Sequence, residues 1–154
     1  MAGESLCIQH KMENTGTRVL DWQSYAHNFF LPGAEDCRGF RLHSSYGKTG
    51  DWELLSGDDI LKKNGEFLEV AAVPQKAPLY ILRTEAHGKG GYQYMLMNPE
   101  KKRFVTEEGD FVPEKFKVWI SRNCFCPEIF LQAKIEPGET FSWERRYSFS
   151  DAHV

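Results

Sequence analysis

The chain has no apolar run near the roughly 20 residues that a membrane-spanning helix needs. Nor has it a segment with a sustained 3.6-residue hydrophobic period closed by helix caps. No basic stripe is present: 19 Lys and Arg stand against 22 Asp and Glu, and this balance argues against binding nucleic acid by neutralising phosphates. The opening Met1-Ala-Gly-Glu-Ser lacks the basic and apolar regions of a secretory signal, so the expectation is a cytoplasmic protein with no membrane contact. Cysteine is scarce, at positions 7, 37, 124 and 126. Cys124 and Cys126 are separated by one residue instead of the two of common zinc knuckles, so reduced thiols are expected and no metal site. At 154 residues, one domain over 1–154 can bury roughly two-thirds of its unfolded surface without disulfide or metal.

What the chain does have is aromatic residues, 14% of the total, and period-2 alternation. Phe141, Trp143, Arg145, Tyr147 and Phe149 alternate with Ser142, Glu144, Arg146 and Ser148. That is the pattern of a half-buried strand, and the turn Glu136-Pro-Gly-Glu139 leads it back against the run ending at Ile135. Leu6, Ile8, His10 and Met12 mark an opening strand, which Asn14-Thr-Gly16-Thr turns in a tight hairpin towards a second strand from Arg18 to about Phe30. Further strands are expected at 65–73, 79–84, 92–97, 103–106 and 116–120, with a glycine-rich hairpin tip at 87–91. Asp58 to Lys63 has the composition of one helical turn, and Glu107-Glu108-Gly-Asp110 reads as a solvated loop. The expected class is all-β, most simply an antiparallel β-sandwich of roughly nine or ten strands.

One acid stands out. Glu128 follows a proline and precedes Ile129, Phe130 and Leu131, so it lies at the mouth of an apolar strand where desolvation would raise its pKa. The bland reading is a solvated strand-end glutamate. For Trp119, Phe141, Trp143 and Tyr147, packing in the core is the first expectation.

Two segments together resemble galactose mutarotase-like (aldose 1-epimerase-like) proteins. Met12-Glu-Asn14-Thr-Gly16 followed by Tyr25-Ala-His27-Asn28-Phe29-Phe30 is similar to their central motif. The stretch from Trp119 to Arg122, Cys126-Pro127-Glu128, Pro137-Gly138-Glu139 and Trp143 to Phe149 is similar to their C-terminal end. The resemblance implies the C-terminal portion of a mutarotase-like supersandwich, with the N-terminal strands of that pattern and their sugar-binding residues without a counterpart here. It implies His27 as general acid and Glu128 as general base in the interconversion of sugar anomers. Asn28 and Arg122 would orient hydroxyls, and Trp22 or Trp119 would stack on a pyranose face. The implied ligand is a sugar or sugar phosphate, with no metal or organic cofactor, and pairing with another copy of the chain would rebuild the sandwich. For proton delivery to the ring oxygen and removal from the anomeric hydroxyl, the two groups are expected roughly 5 to 8 Å apart. The alternative implied by the same residues is a carbohydrate-binding or protein-interaction module without turnover.

Overall fold

A computed structural model describes residues 4–30, 34–45, 52–53, 60–75, 79–83 (backbone only) and 90–151. Twelve strands are described: β1 (Glu4–Glu13), β2 (Leu20–Tyr25), β3 (Arg41–Ser44), β4 (Trp52–Glu53), β5 (Leu61–Asn64), β6 (Phe67–Val70), β7 (Leu79–Arg83), β8 (Tyr92–Asn98), β9 (Arg103–Gly109), β10 (Lys115–Ser121), β11 (Cys124–Ile135) and β12 (Thr140–Asp151). All pair antiparallel, and the fold is the expected all-β sandwich. Among the described residues no helix is long and apolar enough to cross a membrane.

The strands form two sheets. One holds seven strands in the order β1-β12-β9-β8-β3-β6-β5, the other five in the order β2-β11-β10-β7-β4. Both expected tight hairpins are therefore corrected: β1 and β2 lie in different sheets, and so do β11 and β12. Asn14 shows why those turns cross between layers. Its side chain donates to the carbonyls of Arg18 and Ile135, each at 2.8 Å, and accepts from the Gly16 amide at 3.0 Å. Its backbone exchanges hydrogen bonds with Glu139 and Gly138. One buried amide thus ties both inter-sheet connections together, and Gly138 takes the left-handed conformation, φ 81°, that the second connection requires.

Other expectations shift for local reasons. The second strand ends at Tyr25 instead of running to Phe30. Leu61–Asn64 is strand β5, not part of a helical turn, because it pairs with β6 across Gly65 at φ 60°. Asp58 and Asp59 of that expected turn lie outside the described residues, as does most of the glycine-rich tip from His87. The expected solvated loop at Glu107 is the clearest reversal: Glu107 is fully buried in β9. The core between the sheets is built on Phe40, Tyr94, Leu96, Phe116, Phe125 and Ile129.

Candidate functional site

The site arises where β2 stops pairing with β11. Tyr25 pairs with Phe130, and the next contact is the bridge between Phe30 and Phe125, formed by two backbone hydrogen bonds of 3.0 Å. Both contacts share one register, so His27 stands opposite Glu128 and Asn28 opposite Pro127. Pro127 has no N–H to offer, and the ladder opens across residues 26–29. The released segment stays beside β11 and keeps its alternation, with Tyr25, His27 and Phe29 on one face and Asn28 on the other.

Alternation then sorts the two faces of β11. Phe125, Ile129 and Leu131 point into the core. Cys126, Glu128 and Phe130 point to the outer face of the five-stranded sheet, where their cross-strand partners on β10 are Trp119, Lys117 and Lys115. His27 lies on this outer face, with Nε2 3.2 Å from Glu128 Oε1 and Nδ1 3.0 Å from Cys126 Sγ. The imidazole is boxed by Phe29 at 4.3 Å and by the edge of Trp119 at 5.3 Å. About a third of the His27 side chain is exposed and only 5% of Glu128, so the pair is reached from the imidazole side. Burial raises the Glu128 pKa, against the opposing pull of His27 and Lys117.

This geometry revises one expectation. The two groups converge, but at 3.2 Å they touch each other instead of standing roughly 5 to 8 Å apart. A ligand oxygen would have to part them.

The remaining predicted residues separate. Trp119 belongs to the site wall, and Phe29, which the sequence reading did not single out, is the more open ring, 64% exposed. Trp22 points the other way, into the interior, with its ring 5.1 Å from that of Trp143. Arg122 is exposed in the turn between β10 and β11, where its carbonyl accepts from the Cys37 amide. Asn28 also faces inward: both amide hydrogens are used, towards Tyr147 Oη at 2.8 Å and Glu107 Oε2 at 3.2 Å.

Asn28 thereby joins a buried polar cluster. Arg145 donates to Glu107 at 2.7 Å, and Tyr92 and Tyr94 each donate to Glu107 at 2.5 Å. Arg145 also reaches across the core to the carbonyl of Ile129 at 2.9 Å. Asn28 and Ile129 are the chain neighbours of His27 and Glu128, so the cluster anchors the backbone on both sides of the candidate pair. Gly109 makes room for it, since a Cβ there would sit 2.2 Å from the Tyr92 ring. An open cleft of about 650 Å³ lined by Glu35, Asp36, Arg38 and Lys101 includes neither His27 nor Glu128.

No family model and no curated protein matches the chain. Solved structures do. A Synechocystis protein aligns with a TM-score of 0.67 over 96% of this chain and 51% of its own. A putative aldose 1-epimerase from Escherichia coli aligns at 0.63 over 96% and 57%. A galactose mutarotase-like protein from Clostridium acetobutylicum aligns at 0.63 over 95% and 52%. The fold is mutarotase-like. Each match is 15% identical, which carries the fold alone, and the chain spans about half the length of the solved structures it matches.

Within this mutarotase-like fold, His27, Cys126 and Glu128 bring ligand atoms within 4.8 Å of one another, a set able in principle to hold a cation. The imidazole turns one nitrogen to sulfur and the other to the carboxylate. Without an ion, the imidazole bridges thiol and carboxylate as a hydrogen-bonded relay. Cys126 was missed as a site residue, although its place two residues before Glu128 on a strand puts both on one face.

Proposed function

We propose that the chain carries an aldose 1-epimerase-like acid–base site for anomer interconversion, acting on a sugar or sugar phosphate. The observation that carries this reading is the 3.2 Å contact between His27 and a Glu128 carboxyl of raised pKa. His27 delivers a proton to the ring oxygen from Nε2. Glu128 takes one from the anomeric hydroxyl; the ring opens, the aldehyde rotates, and the reverse transfers close it as the other anomer. Desolvation brings the carboxylate nearer to neutral pH, where a base works best. Phe29 and Trp119 offer aromatic faces for a pyranose. Arg122 remains a candidate for orienting hydroxyls or a phosphate, whereas the inward amide of Asn28 suits it to holding the backbone beside His27.

The test is mutarotation of free aldohexoses followed by polarimetry. Glu128→Gln is expected to slow the catalysed rate roughly 100- to 10,000-fold. A variant as fast as the parent removes Glu128 from the mechanism.

A second reading, a carbohydrate-binding module without turnover, is favoured by the direct closure of His27 on Glu128, which leaves no gap between them for a sugar ring. Measurable sugar binding with mutarotation at the spontaneous rate would select it.

A further inference from the structure

Beside the acid–base pair lies a fully buried thiol with no part in the chemistry described so far. Cys126 places its Sγ 3.0 Å from His27 Nδ1, on the far side of the ring from Glu128. It is no nucleophile: burial and the adjacent Glu128 carboxylate push its pKa up, so it keeps its proton through neutral pH. A protonated thiol facing a ring nitrogen donates to it. A neutral imidazole that accepts at Nδ1 carries its own proton on Nε2.

We propose that Cys126 is a positioning residue that donates S–H to His27 Nδ1, fixing the tautomer whose Nε2–H faces Glu128 and making Glu128 the proton acceptor of the pair. The inference rests on the acid–base reading of the site and goes beyond it by naming the residue that fixes the imidazole tautomer. The competing placement moves one proton and takes up another: the Nε2 proton passes to Glu128, which becomes a neutral acid donating to Nε2, and a proton from solvent occupies Nδ1, facing sulfur. That placement sets a good donor against a weak acceptor and leaves the thiol hydrogen without its nitrogen partner. Burial of Glu128 favours it, while Lys117, opposite on β10, and the thiol oppose it. In the favoured placement the entering sugar meets a donor at Nε2 for its ring oxygen and a carboxylate for its anomeric hydroxyl, and the proton that Glu128 takes passes on to Nε2, so the imidazole ends the step neutral.

The deciding measurement is the His27 tautomer, read from long-range proton–nitrogen correlation spectra of ¹⁵N-labelled protein. Glu128→Ala removes the other group that selects a tautomer. In that background Nε2–H is expected to persist, and adding Cys126→Ala is expected to give a mixture of both tautomers. An Nδ1–H ring in Glu128→Ala, or one unchanged by the loss of Cys126, overturns the proposal. With Glu128 intact, Cys126→Ala is expected to lower kcat roughly 10- to 100-fold with little change in KM. Cys126→Ser, which keeps a donor, is expected to restore most of it. A serine variant as slow as the alanine one also overturns the proposal. A parent protein without mutarotation, whose tautomer still depends on Cys126, sinks the function above and supports the positioning role.

Discussion

Two buried carboxylates, one between the sheets and one on the outer face of the five-stranded sheet, receive opposite treatment. Glu107 in the interior accepts from Arg145, Tyr92, Tyr94 and Asn28. Glu128 on the outer face has His27 at its edge and Lys117 across the strand, and burial raises its pKa. A carboxylate whose lone pairs are filled by charged and hydroxyl donors is a fixed structural joint. One that is desolvated with a single ring partner remains poised to exchange a proton. The difference teaches that burial alone does not leave an acid free to exchange a proton, and that the number and kind of donors decide it. The two are coupled mechanically, since the Glu107 cluster holds Asn28 and Ile129, the neighbours of His27 and Glu128.

Breaking the satisfied side should have the largest effect. Arg145→Met leaves Glu107 buried without its cation and is expected to cost about 3–5 kcal/mol of unfolding free energy by urea titration. Adding Glu107→Leu to it should recover part of that loss. A single variant as stable as the parent would mean that the cluster is not the joint described.

Next in size is the hinge of both inter-sheet connections. Asn14→Ala strips donors from two carbonyls, Arg18 and Ile135, and is expected to cost about 2–3 kcal/mol in the same titration. Asn14→Asp keeps the acceptor for Gly16 but not the donors, so it should fall well short of wild type.

The smallest effect sharpens the contrast on the side of Glu128. Its folded pKa lies above the ordinary value of 4.5, so the folded state binds this proton more tightly than the unfolded state does. The stabilisation from that proton is complete at low pH and is lost as pH rises from about 4.5 through the raised folded value. Relative to Glu128→Gln, wild type should therefore weaken over that window, checked by urea titrations at several pH values. A difference that runs the other way would show a carboxylate held down by its partners, as in an ordinary ion pair.

Period-2 alternation of aromatic and polar side chains was sufficient for the all-β class and for the opening, central and closing strands, because a pleated strand with one face buried writes its period into the sequence. The pairing of His27 with Glu128 came from resemblance, and their shared register gives it a physical basis. Which sheet each strand joins was not legible: a turn of Asn-Thr-Gly or Pro-Gly composition closes a hairpin or crosses between layers equally well, and Asn14 decides through contacts with residues more than a hundred positions away. Glu107 looked like part of an acidic loop because its donors come from β2's continuation, β8 and β12, distant in the chain. Trp22 and Trp119 are both strand tryptophans. Only the pairing of β2 and β10 with β11 turns the first into the core and the second to His27. The sequence alone thus determined the strand-forming pattern and the chemical groups at hand. Tertiary structure decided which of those groups are desolvated, which are satisfied and which meet, because burial and hydrogen-bond partners are set by packing between segments far apart in the chain.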